Sequence, residues 1–358
     1  MDSNLTFMQV PMTEWEEFEK SQSNINFFQS TMRVKKRERM GYQNYILGVK
    51  DGDKLIAGGV LLGRANEFWM AYGPLIDWND SKLVEFFLTN LAKFAKTKKM
   101  LKVDIFPNLL LNRRTTEGEI IEHFDRDEQK RIFRESGWRY RGETVKYEMK
   151  AGRWTYVKNL DKYENYDEFY ADSYAKRTKK HLRHLANRAE FEMCKLSRGD
   201  LSKFVEILHV SDEANHVTTR DIEYFENLFD SFGEKVDFLT AKQRSSGELL
   251  AGSVVIWYNQ EVWLFVGGVR RGGGGGEANL WLKDQIFRLA FERGFNRVNF
   301  GWIEGDFTNN SLLSFKAKFG GGVEEYVGGF ELVLRPAALS MRKISRRSKM
   351  LVKKLVLR

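Results

Sequence analysis

The 358-residue chain has a single cysteine, Cys194, and only four prolines. One thiol excludes an intramolecular disulfide and fits a reducing cytoplasm, where Cys194 is expected to pack rather than react. No apolar run approaches the roughly 18 residues of a membrane span. The amino-terminal MDSNLTFMQV has neither a basic flank nor an apolar stretch, so no signal peptide is read there. Acidic residues are missing from one segment: Arg335 to Arg358 holds nine Lys or Arg and no Asp or Glu, which accounts for the whole net charge of +9. In that tail Met341, Ile344, Leu351 and Leu355 recur at helical spacing beside a basic face. Such a helix suits an anionic bilayer or RNA phosphates, or docks by its apolar stripe and leaves its charges in water.

A hydrophobic content of 42% with 14% aromatics is enough for sizeable cores, and the length suits two domains. A second basic cluster, AKRTKKHLRHLANR (Ala175 to Arg188), has too few leucines for a membrane helix and reads as a solvated or RNA-facing helix. His181 and His184 lie one turn apart, but no carboxylate or thiolate is spaced to complete a metal site, and no metal or cofactor is expected.

The chain repeats itself. LIAGGVLLGRANEFWMAYGP (Leu55 to Pro74) aligns without gaps on LLAGSVVIWYNQEVWLFVGG (Leu249 to Gly268), with Ala57/Ala251, Gly58/Gly252, Glu67/Glu261 and Trp69/Trp263 among the identities. Each copy reads as two strands joined by a short turn. Each is preceded by helical material and followed by an amphipathic helix, with Leu83, Phe87 and Leu91 or Leu282, Ile286 and Leu289 as its stripe, and then by another strand. Helix, antiparallel strands, helix and strand, given twice, predict an α+β fold of two tandem GNAT-like domains with mixed sheets flanked by helices. The domains are expected at 1–150 and 151–334, with the basic segment 335–358 joining the first.

RRGGGGGEANLWLKDQIF (Arg270 to Phe287) opens a helix with five glycines. It fits the (Q/R)-x-x-G-x-(G/A) spacing of GNAT coenzyme A sites in two frames, Arg271 with Gly274 and Gly276 or Arg270 with Gly273 and Gly275. Five consecutive glycines are costly to order, so the run is expected to be a flexible connection or acceptor-side loop. A coenzyme A-dependent N-acyltransferase stands as the second reading.

In order along the chain, FFQS (Phe27 to Ser30), YGPLIDW, KVDIFP, RTKKHLRHLANR, RDIEYF, NFGWIEGD, SFKAKFGG and GGFEL (Gly328 to Leu332) resemble the motifs of the Fem family of peptidoglycan-bridge aminoacyltransferases. The resemblance implies transfer of an amino acid from aminoacyl-tRNA to a stem-peptide amine of a precursor, either lipid-linked (lipid II) or UDP-MurNAc-pentapeptide. It implies a cytoplasmic protein, expected to be monomeric, working at the inner face of the membrane with peripheral contact to anionic lipid. No extended heptad insertion is visible, so the chain looks like a member without the helical arm. It departs from the family in having Tyr72 before Gly-Pro and Arg33 after the Gln-Ser pair.

The resemblance assigns Lys316 to the oxyanion and Asp104 to the proton of the attacking amine, although a strand-end structural role fits Asp104 equally. Arg220 and Tyr224, one helical turn apart, match a phosphate-binding pair. Lys36 or Arg37 matches a third contact, and Phe315 precedes the lysine as in the family.

Overall fold

A computed structural model describes residues 4–142, 144, 146, 150–214, 220–308, 310–342 and 344. The chain begins with β1 (Leu5–Gln9), α1 (Met12–Ser21), α2 (Thr31–Arg39) and β2 (Gln43–Asp51). The first repeated hairpin follows as β3 (Lys54–Arg64) and β4 (Glu67–Ala71), then α3 (Ser81–Thr97) and β5 (Lys102–Phe106). After it come β6 (Leu110–Arg114), β7 (Ile120–His123), α4 (Asp127–Glu135) and β8 (Arg139–Tyr140). The second half opens with β9 (Trp154–Asn159), α5 (Tyr166–Ser173), α6 (Lys176–Asn187), β10 (Phe191–Lys195), α7 (Leu201–Ala214) and α8 (Ile222–Phe232). It continues with β11 (Val236–Gln243), the second hairpin β12 (Leu249–Tyr258) and β13 (Glu261–Val269), and α9 (Gly275–Glu292). It ends in β14 (Arg297–Ile303), α10 (Ser311–Lys316), β15 (Gly322–Tyr326) and β16 (Phe330–Val333).

Two mixed sheets result, ordered β1-β2-β3-β4-β5-β16-β8 and β10-β11-β12-β13-β14-β9-β15-β6-β7. The parallel pairs are β4 with β5 and β13 with β14, the crossovers that α3 and α9 make. The duplication is therefore real in three dimensions, because β2 to β5 and β11 to β14 have the same order. Its shared glycines have a packing cause. A Cβ on Gly58 would stand 2.7 Å from the Trp15 ring of α1, and one on Gly252 would stand 2.9 Å from the Phe204 ring of α7. In each copy the helix before the hairpin lies directly on the strand.

Each half also lends strands to the other. The strand β16 lies between β5 and β8, while β6 and β7 extend the second sheet beyond β15. Three apolar cores follow. One backs the first sheet under α3 and α4, and one backs the second sheet under α5, α6 and α9. The third lies between the halves, where Phe27 and Phe28 meet Tyr72, Phe232, Trp263 and Trp302.

The glycine run, expected as a flexible connection or acceptor-side loop, forms a defined turn into α9. Gly272, Gly273 and Gly274 take φ of 77°, 55° and 87°, and Gly275 and Gly276 are already the first turn of α9. The run closes on itself through Gly275 N–H donating to Gly272 O at 3.0 Å. A Cβ at Gly275 would come within 2.0 Å of Arg270 O, so glycine is needed there for close passage of the backbone. In the basic tail Leu339 is buried and Met341 and Ile344 are exposed, while Leu351 and Leu355 lie outside the described residues. Among the described residues no helix is long and apolar enough to cross a membrane.

Candidate active site

The two halves share a plan but differ at the fork between their parallel strands. In the first, β4 and β5 stay paired from Glu67–Lys102 to Ala71–Phe106. Gln29 seals the neighbouring gap: its Oε1 accepts from Val60 N at 2.7 Å and its Nε2 donates to Ala71 O at 2.6 Å. In the second, β13 pairs with β14 only from Glu261–Arg297 to Trp263–Asn299, and β13 then bulges at Phe265 and turns away. The carbonyls of β14 beyond Asn299 are left without a strand partner on that side.

Lys316 takes them. From the last turn of α10 its Nζ donates to Trp302 O at 3.1 Å and Gly301 O at 3.4 Å, and the side chain is buried. An ammonium has three hydrogens, so two bonds fix its direction and leave one for an acceptor entering the fork. Burial, then the nearby charge of Lys283, lowers its pKa to about 7. Lys283 reaches the same region from α9, where its Nζ donates to Ser253 Oγ at 2.8 Å and burial alone lowers its pKa to about 7. Phe315, the residue before Lys316 in α10, packs edge-on against Phe319 and lines an open cleft of about 510 Å³ with His181, the glycine turn and Lys318.

A second group forms where α2 packs against the start of α8. Lys36 Nζ sits 3.4 Å from the Tyr224 ring centroid, and the Arg220 guanidinium lies 5.1 Å from the same ring. Arg220 is not inside the helix as its spacing suggested. It precedes Asp221, the N-cap whose Oδ1 accepts from Tyr224 N at 2.9 Å, and it reaches Tyr224 from the loop. Arg37 stacks on Tyr42 at 4.7 Å. Arg33, the departure from the family's usual Trp, lies 4.1 Å from the Phe28 centroid and is buried in the same cluster.

Burial holds the Arg33 pKa well below its ordinary value, with Arg37 adding to it. Burial followed by Arg37, Arg33 and Arg220 does the same to Lys36. No carboxylate is among the leading causes of either shift within the described residues. Arg33 Nε and Arg37 Nε are buried without an acceptor among the described residues. Cations in this state are costly unless an anion arrives. The spacing Arg33, Lys36, Arg37 on one helix face was the available signal for Arg33.

Phe28 connects the two groups, with Arg33 over its ring and the Trp302 indole stacked at 5.5 Å. Trp302 Nε1 donates to Tyr72 Oη at 2.7 Å, and the Trp302 carbonyl holds Lys316. Tyr72 thus works at the junction of the halves, and its Oη also donates to Gly152 O at 3.0 Å.

Asp104 stands apart, within β5. Lys102 Nζ donates to both of its oxygens at 3.1 and 3.0 Å, Lys150 adds a close bond, and Lys102 also meets Glu331 of β16 at 3.0 Å. The second half repeats this pattern. Arg297 occupies the register of Lys102 and meets Glu261 and Glu324, and Asn299 at the register of Asp104 donates to Glu261 Oε1 at 3.0 Å.

Duplicated sheets of this order, with one fork closed and the other open around a buried lysine, define a tandem GNAT-like acyltransferase. The chain belongs to the FemAB family, whose pattern matches residues 10–246 and 240–346, and it is an aminoacyltransferase. Aminoacyltransferase FemB of Staphylococcus epidermidis is 22% identical over 91% of this chain and 94% of its own. The crystal structure of FemX matches with a TM-score of 0.78 at 16% identity, covering 94% of this chain and 99% of FemX. A tandem GNAT protein from the clavulanic acid biosynthesis pathway matches with a TM-score of 0.57 at 12% identity, covering 92% and 98%; it shares the fold.

Proposed function

We propose that the chain moves an amino acid from its tRNA ester to the stem-peptide amine of a peptidoglycan precursor, using the open fork of the second half. The observation that carries this reading is Lys316, an ammonium aimed by two backbone carbonyls where β13 leaves β14. The amine nitrogen attacks the ester carbonyl, the new C–N bond forms, and negative charge gathers on the carbonyl oxygen. The third hydrogen of Lys316 stabilises that oxygen. As the intermediate collapses, the C–O bond to ribose breaks, and the proton lost by the nitrogen ends on the departing hydroxyl.

The uncompensated cluster of Arg33, Lys36, Arg37 and Arg220 holds the precursor's pyrophosphate, and Tyr224 orders the cations around it. A lipid-linked precursor and a nucleotide-linked one offer the same group. Asp104 serves the sheet in this reading, because its carboxylate is held by two ammonium groups and its place is duplicated by Asn299.

Lys316→Met is expected to lower turnover by about two to three orders of magnitude, the scale of losing one oxyanion donor. Precursor affinity should hardly move. Labelled aminoacyl-tRNA and a lysine-containing precursor provide the assay, and near-parental turnover removes Lys316 from the reaction. Acetyl-coenzyme A binding lost on replacing Gly274 and Gly276 with valine would favour a coenzyme A donor instead.

A further inference from the structure

Helix α6 carries a cationic face that, among the described residues, is almost without acidic partners. Lys176, Arg177, Lys180, Arg183 and Arg188 are exposed, whereas Thr178, Leu182 and Leu185 are buried on the opposite side. No acidic residue occurs from Ser173 to Ala189. Among these five cations, within the described residues, Arg188 alone meets a carboxylate, Glu190 at 3.5 Å. At 1.5 Å of rise per residue the charges extend over about 18 Å. A face of that length suits a polymer of regularly spaced anions better than a single small ligand.

The remaining exposed side chains of the helix are His184, Ala186 and Asn187. None is a large apolar group that could enter a bilayer, which argues against a lipid surface. Placement adds a direction. His181 of α6, bonded to Glu277 at 2.9 Å, forms one wall of the cleft whose other walls are the glycine turn, Phe315 and Lys318. Phe315 and Lys318, which line that cleft, flank Lys316 in the chain.

We propose that the solvent face of α6 docks the phosphate backbone of the donor tRNA's acceptor stem, so that the 3′ end runs through the cleft past Phe315. The assignment rests on the aminoacyl-tRNA reading above, and its test separates the two. The variant carries Lys176→Glu, Lys180→Glu and Arg183→Glu together, with its melting temperature checked against the parent. Because the three side chains are exposed, the fold should survive.

Binding of deacylated tRNA should weaken at least tenfold, and the slope of log affinity against log salt should fall by about three, near one per lost phosphate contact. KM for aminoacyl-tRNA should rise with kcat little changed. Transfer from an aminoacylated dinucleotide, which has no stem, should stay within twofold. Unchanged tRNA affinity and slope overturn the proposal, and so does an equal loss with the dinucleotide. Loss of binding to vesicles containing phosphatidylglycerol, with tRNA binding intact, overturns it in favour of a membrane surface. A parent that binds tRNA through α6 yet transfers from no donor sinks the functional reading and leaves the docking surface standing.

Discussion

Lys283 and Lys316 each bring an amine into the interior of the second half, and burial lowers both pKa values from 10.5 to about 7. In the unfolded chain both return to the ordinary value. Between about pH 7 and 10.5 the unfolded state therefore holds more protons, and stability rises with pH across that window; it is lowest below pH 7. Lys283→Met should raise the urea midpoint at pH 7 and flatten the alkaline rise. It should also relieve the repulsion felt by Lys316, so that the alkaline limb of the transfer rate moves upward from near pH 7. A limb that stays in place would mean that the charge of Lys283 does not reach Lys316. The motif order pointed to Lys316 and Phe315 from the sequence, and the structure puts Lys316 at the open fork. Lys283 was hidden, because a lysine beside the stripe of Leu282, Ile286 and Leu289 looks like a residue at a helix–solvent border. Arg33 was partly visible through its helical spacing with Lys36 and Arg37. Phe28 and Arg37 are local to it, but Tyr224 joins them only when α2 meets α8.

At the scale of elements, the gapless repeat revealed both hairpins, the helices after them and the strand that follows each helix, because period and turn chemistry are local. Gly58 gives that repeat a measurable consequence. Gly58→Ala would set a methyl 2.7 Å from the Trp15 ring and 2.8 Å from Leu47 O. Overpacking of this kind costs about 1–3 kcal/mol, so chemical denaturation should show a loss of that order. Gly41→Ala serves as a contrast, since its Cβ would meet nothing within 4 Å and only its φ of 73° is penalised. The glycine run was harder to read. Composition suggested slack, whereas the structure uses three left-handed residues to begin α9 beside β13. Spacing likewise put Arg220 in a helix that starts after Asp221.

Across the whole molecule, the exchanged strands were not legible. β6, β7 and β16 are four or five residues long, and alternation tells which side faces a core without naming the neighbour strand. Their pairing joins the halves through β16 between β5 and β8 and through β15 beside β6. The core around Phe27, Phe28 and Trp263 adds a second junction. Urea unfolding followed by tryptophan fluorescence and by far-ultraviolet circular dichroism should give coincident transitions. Two separated transitions would show that the halves melt independently.

The place of β16 also bears on biosynthesis. Its neighbour β5 is made about 230 residues earlier. At about 5–20 residues per second, a ribosome would leave that edge uncovered for ten seconds or more. An open strand edge is a template for wrong pairing. The first half should therefore depend on chaperones during translation, and stalled nascent chains should become protease-resistant there only once Phe330 to Val333 have emerged.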